Sequence, residues 1–380
     1  MEKKVSYQTM IPVSCPSLGN EELSEVKKVL DSHWLGMGKW VFEFEKKIKD
    51  FIGAGNVIAV NTGTTAIHLA LDAIGLSRGD EVIVPSLTFA GSVQPILNCG
   101  ARPVFCDIDA RTLNMDVADM RRKINRKTKV IMPVHYSGLA CDMDAILKTA
   151  EKYSLRVIED AAHAFGSLYK GRKIGSFADV TCFSFDPIKN ITCGEGGAIV
   201  TSDDNLAQTI YRKRILGIDR DTWSRYSHKR EWFYNVVTTG YRYHLSNINA
   251  AIGIIQIGKI DRFLAKKRQL IRIYDAALGG VKGIELLMRD YENTAPFNYV
   301  IKVTRCRDRL MEFLKARGID SGVNYIPNHL QPVFRPYKTA LPVTERVWEQ
   351  ILTLPLYCDM SRRDINRIIG CVKEFFTKNA

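Results

Sequence analysis

Along the first half of the chain, short runs rich in Val and Ile alternate with longer stretches whose apolar positions recur every three to four residues. That is the pattern of strands followed by covering helices. Residues 56–60 read as a strand and 64–74 as a helix opened by Thr-Gly-Thr-Thr. After the turn Ser77-Arg78-Gly79-Asp80, the apolar strand 81–84 stops at Pro85. The alternation continues with helices over 91–98, 117–124 and 142–153, and strands over 103–106, 130–134, 156–159 and 180–185. Strands that are apolar throughout and separated by helices predict an α/β fold, with a mostly parallel central sheet covered on both faces.

Two further helices are predicted over 246–257 and 262–278, the second with its Lys and Arg residues on a solvated face. Beyond Gly283 the texture changes to a strand over 298–303, a helix over 307–317 and connections through Pro327, Pro332 and Pro336. This predicts a large domain over residues 1–249, including an N-terminal arm, and a smaller C-terminal α/β domain over 250–380. No internal repeat or low-complexity linker separates them, so an extensive shared interface is expected.

Composition narrows the function. A 380-residue chain that is 46% hydrophobic and 25% charged is neither a small disulfide scaffold nor a disordered tail. Its net charge of +13 invites a phosphate-bearing partner. No recognition helix or aromatic RNA motif accompanies that charge, so nucleic acid is not expected. The nine cysteines are scattered without a C-x-x-C pair, which fits neither a disulfide framework nor a zinc site. No apolar run is long enough to span a bilayer. The expectation is a cytoplasmic protein with no metal and no membrane insertion.

Three segments carry candidate chemistry. Lys189 follows the apolar strand 180–185 and precedes the glycine cluster 194–197, which would hold its amine in a sheltered loop. Desolvation there lowers a lysine's pKa and makes it a Schiff-base nucleophile. Asp160 ends the strand 156–159, and ligands of open α/β sheets bind beyond the carboxyl ends of strands. Asn61-Thr62-Gly63-Thr64-Thr65 feeds a helix whose free N–H groups would accept a phosphate. Each segment has a plain structural explanation alone: a surface lysine, a helix-capping aspartate, a capping threonine. Together they are the parts that hold pyridoxal phosphate.

From Ile11 to about Val372 the chain resembles the sugar-nucleotide aminotransferases, fold-type-I pyridoxal phosphate enzymes of the aspartate aminotransferase superfamily. The resemblance rests on Phe44-Glu45, Asn61 to Thr64, Gly79 to Pro85, Thr88-Phe89, His135 with Gly138, and Glu159-Asp160-Ala161-Ala162. It continues through Ser184 to Lys189, Gly194-Glu195-Gly196-Gly197, Ala250 to Gly253, His329 to Pro332, and Leu354-Pro355-Leu356.

The resemblance implies roles. Lys189 would bind the cofactor as a Schiff base and shuttle the proton during transfer. Asp160 would keep the pyridine nitrogen protonated, and Phe89 would stack on the ring. Ser184 and the backbone of Gly63, Thr64 and Thr65 would hold the phosphate. His163 stands where many relatives have glutamine and would bond the ring's 3′ oxygen. At Gly240-Tyr241-Arg242-Tyr243-His244 relatives commonly carry asparagine and arginine at the third and fifth positions. Arg242 would then reach the phosphate of the neighbouring subunit's cofactor in a homodimer, and His244 would meet the donor or the sugar nucleotide. His329 would sit at the substrate entrance. The basic stretch 212–230 would meet phosphate groups. The implied reaction moves an amino group from L-glutamate to a nucleotide-linked keto-deoxysugar, a 4-keto-6-deoxyhexose before the 3-keto isomer. The alternatives are a sugar-nucleotide dehydratase, which has histidine where this chain has Lys189, and a ligand-sensing protein on the same scaffold.

Overall fold

The computed structural model describes residues 10–53, 55–219 and 233–378. A seven-stranded sheet forms its centre, in the order β1-β9-β8-β5-β4-β2-β3. The strands are β1 (Asn56–Val60), β2 (Glu81–Pro85), β3 (Arg102–Cys106), β4 (Thr128–Ile131), β5 (Arg156–Asp160), β8 (Val180–Ser184) and β9 (Gly197–Thr201). Neighbours from β8 through β5, β4 and β2 to β3 are parallel, while β9 runs antiparallel to both β1 and β8. A two-residue hairpin, β6 (Leu168–Tyr169) with β7 (Arg172–Lys173), stands apart. Sequence reasoning anticipated the parallel strands but missed β9, a five-residue run that begins directly out of the glycine cluster.

Both faces of this sheet are covered, because alternate side chains of a strand point opposite ways. Ala59 joins a core with Val41, Phe44, Phe183 and Val200, whereas its neighbours Ile58 and Val60 join another with Leu69, Val84 and Ile199. The covering helices are α1 (Asn20–Asp31), α2 (Lys39–Ile52), α3 (Gly63–Ala73), α4 (Ala90–Asn98), α5 (Val117–Lys123), α6 (Met143–Tyr153) and α7 (Asp204–Lys213). Helices α1, α2 and α7 had not been anticipated. In α2 the buried Val41, Phe44, Ile48 and Ile52 follow the helical spacing that would have revealed it.

The smaller sheet is antiparallel: β10 (Ile284–Leu286), β11 (Tyr299–Val303) and β12 (Ile351–Leu354). It packs with the helices Arg307–Lys315 and Arg362–Lys378 around Leu310, Leu314, Ile365 and Ile368. The expected division at residue 250 falls inside the helix Asn247–Gly258, which packs on α1 and α2 of the larger body. The next helix, Ile260–Leu278, serves both cores, with Leu264 in the larger and Leu270 in the smaller. Ile11 also joins the smaller core, pairing with Ile319. Among the described residues no helix is long and apolar enough to cross a membrane, and no cluster of His, Cys, Asp or Glu is arranged to hold a metal ion.

Candidate active site

Helix α3 opens on a closed capping box. The Thr62 hydroxyl accepts from the Thr65 N–H at 3.0 Å, and the Thr62 N–H donates back to the Thr65 hydroxyl at 3.1 Å. The N–H groups of Gly63 and Thr64 are first-turn donors that no carbonyl of the helix reaches, and they have no partner among the described residues. With the helix dipole behind them, they form an anion cradle. Thr65 was expected to contribute its backbone, but the cap already holds its N–H. Across from the cradle, Ser184 ends β8. The approach is so close that a Cβ on Gly63 would lie 2.7 Å from the Ser184 Cβ, so only glycine fits there.

Asp160 ends β5, is 4% exposed and is fixed on both oxygens. Ser92 of α4 donates to Oδ2 at 2.5 Å and the Ala162 N–H donates to Oδ1 at 3.1 Å. Two donors hold the carboxylate at one orientation. Lys189 lies in the turn after β8, with its Nζ 4.4 Å from the centre of the Phe297 ring. Burial lowers the pKa of this amine, with Asp186 and Asp160 pulling the other way. His163 stacks on the other partner of that ring contact: its centroid is 4.0 Å from that of Phe297, and its Nε2 is 3.1 Å from the Tyr325 hydroxyl. Burial, reinforced by the Lys189 charge, pushes the imidazole well below its ordinary range and keeps it neutral. Its Nδ1 is enclosed without a partner. His163, expected to bond the ring's 3′ oxygen, thus lines the cavity with Nε2 engaged by Tyr325 and Nδ1 without a partner among the described residues.

These groups converge on one cavity of about 450 Å³, lined among others by Gly63, Thr64, Phe89, Asp160, His163, Ser184 and Lys189. Ser92, Asp186, Glu195, Asn324 and Tyr325 also line it and were not anticipated. Of these, Tyr325 lay in a segment already noted for its Pro-rich texture, whereas nothing local marked Ser92. The donor set fits pyridoxal phosphate: an anion cradle, a buried acid and a sheltered amine share a space of a cofactor's size.

Three anticipated residues lie elsewhere. His329 is fully buried and does not line the cavity. Ser86 Oγ sits 2.7 Å from its Nδ1, and Glu345 Oε1 3.1 Å from its Nε2. Expected at the substrate entrance, it ties the segment that follows Tyr325 to the β2 end. Arg242 is exposed, bridging Ile215 outside its own cavity. His244 bridges Val60, and its Nδ1 is enclosed without a partner. Burial, then Arg242 and Arg214, lower its pKa. Of the basic stretch 212–230, residues 220–230 lie outside the described residues.

A model of the DegT/DnrJ/EryC1/StrS aminotransferase family matches residues 16–373. The chain belongs to this family. It is 38% identical over 375 residues to the spore coat polysaccharide biosynthesis protein SpsC of Bacillus subtilis, covering 96% of each chain. Among solved structures, the aminotransferase TlmJ of Streptoalloteichus hindustanus superposes with a TM-score of 0.92 at 31% identity, covering 98% of this chain and all of that one. The sugar aminotransferase CalS13 of Micromonospora echinospora gives 0.88 at 32% identity, covering 96% of this chain and all of that one. Aminotransferases of this family depend on pyridoxal phosphate, and so does this chain.

Proposed function

We propose that the protein transfers an amino group from L-glutamate to the ketone of a nucleotide-linked deoxysugar, with a 4-keto-6-deoxyhexose as the first choice and a 3-keto sugar as the second. One observation carries this reading: Lys189, Asp160 and the Gly63–Thr64 cradle open into a single cavity. The polysaccharide role in the name of SpsC and the sugar in that of CalS13 support a sugar acceptor.

Bound pyridoxal phosphate supplies an electron sink that takes up and releases the amino group. In this reading Gly63, Thr64 and Ser184 bind its phosphate, and Phe89 covers the ring. Asp160, oriented by Ser92 and the Ala162 N–H, would keep a proton on the pyridine nitrogen. Lys189 would hold the cofactor covalently through its amine and would serve as the proton carrier of the transfer, a task that its lowered pKa suits. The neutral His163 holds the Tyr325 hydroxyl at the cavity wall.

The proposed assembly is a homodimer with shared sites. Arg242 is exposed and does not line its own cavity, and Leu216, Val236 and Val237, near the bridges that hold it, are exposed as well. An apolar surface beside an exposed cation supports contact with a second copy whose cofactor phosphate Arg242 would reach. Incubating the enzyme with glutamate and a panel of dTDP-, UDP- and GDP-linked keto sugars tests the reaction. Formation of 2-oxoglutarate with a 4-keto-6-deoxy member is the expected result. A panel in which every sugar leaves glutamate untouched would rule out the sugar acceptor.

A further inference from the structure

The helix Ile260–Leu278 turns an apolar stripe inward. Ile260, Phe263, Leu264, Leu270 and Tyr274 are buried, and their three- and four-residue spacing puts position 267 on the same line. The residue there is lysine, and it is only 3% exposed. It had been read from the sequence as part of a solvated face. Its place is the seam between the two cores, one ending at Leu264 and the other beginning at Leu270. A lysine amine is seldom buried this far, because desolvation disfavours its charge.

What holds it leads to the active site. The Lys267 amine donates to Oδ1 of Asn190 at 3.0 Å, and Asn190 Nδ2 donates to the Ala295 carbonyl at 3.2 Å. Asn190 is the residue after Lys189. Ala295 lies two residues before Phe297, the ring over which the Lys189 amine sits. One buried amine therefore ties together the loop that carries Lys189 and the segment that carries the ring beneath it.

We propose that Lys267 is a positioning residue for Lys189, acting through Asn190 to fix the loop and through its own buried charge to disfavour a second positive charge on the Lys189 nitrogen. The proposal rests on the reading of Lys189 as the lysine that links the cofactor. Burial, opposed by the Cys358 thiol and reinforced by Lys189, brings the Lys267 amine down to about 8, so it is charged at neutral pH. Asp186 and Asp160 face Lys189 and favour its charge, while Lys189 in turn depresses His163. On the other side Cys358 also feels Asp359, Arg262 and Lys266. Tyr325 faces Asp160 and Asp186 across the cavity. The Lys267 amine bonds the side chain of the residue next to Lys189, so the two nitrogens share one buried region in which like charges disfavour each other.

The test is a spectral titration of the pyridoxal phosphate-loaded enzyme, following the pH dependence of its visible band in wild type, Lys267→Met and Lys267→Arg. The Met variant is expected to raise the midpoint by about one pH unit, the size of shift that a like charge nearby produces. The Arg variant is expected to return it most of the way. Equal midpoints in wild type and Met overturn the proposal, because a purely structural lysine would leave the midpoint in place. If Lys267→Met does not fold, Asn190→Asp sets a carboxylate on the Lys267 amine; its midpoint is expected to rise too, and an unmoved one overturns the proposal. A wild-type enzyme with no visible band would instead overturn the reading of Lys189 itself.

Discussion

Ser92 Oγ donates a 2.5 Å hydrogen bond to Oδ2 of Asp160, joining the first turn of α4 to the end of β5 at the wall of the cavity. A hydrogen bond to a charged acceptor is worth about 1.5–3 kcal/mol. Ser92→Ala is therefore expected to weaken retention of pyridoxal phosphate about tenfold while leaving the fold intact. Equilibrium dialysis of the cofactor checks it. Asp160→Asn is expected to lose turnover by a larger factor, on the order of a hundredfold, since a neutral amide cannot keep the ring nitrogen protonated.

Gly63→Ala tests the cradle. The new Cβ would meet Ser184 Cβ at 2.7 Å and its Oγ at 3.0 Å. The first turn of α3 must then back away from β8. Cofactor affinity is expected to fall by more than tenfold, on the scale of 1–3 kcal/mol for overpacking, and inorganic phosphate should compete less well for what remains. Unchanged affinity for both would place the phosphate elsewhere.

His163 gives a pH prediction. Its native pKa lies well below the ordinary value of 6.5 because of burial and the charge on Lys189. Below about 6.5 the unfolded chain therefore binds a proton that the native state refuses, so unfolding becomes easier. Stability should be complete above that pH and decline as pH falls toward the depressed native value. His68, His244 and His329 are shifted the same way. Urea melts of wild type and His163→Gln should show a shallower acid decline in the variant; parallel declines would contradict the assignment.

His329 separates support from substrate contact. Its ring bonds Ser86 and Glu345, not the cavity. His329→Ala is expected to cost about 1–3 kcal/mol of stability, the penalty for leaving buried partners unpaired, with KM for the sugar nucleotide unchanged. A raised KM at full stability would restore a role at the entrance.

The sequence made one layer of this site legible and hid another. Asp160 and Lys189 announced themselves because each sits at the end of an apolar run, where the chain itself says that a sheet edge is near. Gly63 did so through its place before a helix. Ser92, Tyr325 and Phe297 gave no such sign, since their meeting with Asp160, His163 and Lys189 depends on how distant elements cross. Lys267 was misread for a related reason: among Arg262, Lys266 and Arg268 it looks solvated, and only the two cores packed on its helix bury it. Residue 250, where the smaller domain was expected to begin, falls within a helix that packs on α1 and α2.

Everything proposed for this site turns on Lys189 linking the cofactor. Borohydride reduction of the pyridoxal phosphate-loaded enzyme, followed by proteolysis and peptide mass mapping, tests it most directly. A phosphopyridoxyl label is expected on the peptide carrying Lys189 and none on that carrying Lys267, the buried amine beside the site. A label on Lys267 or on a surface lysine, with Lys189 unmodified, would contradict it.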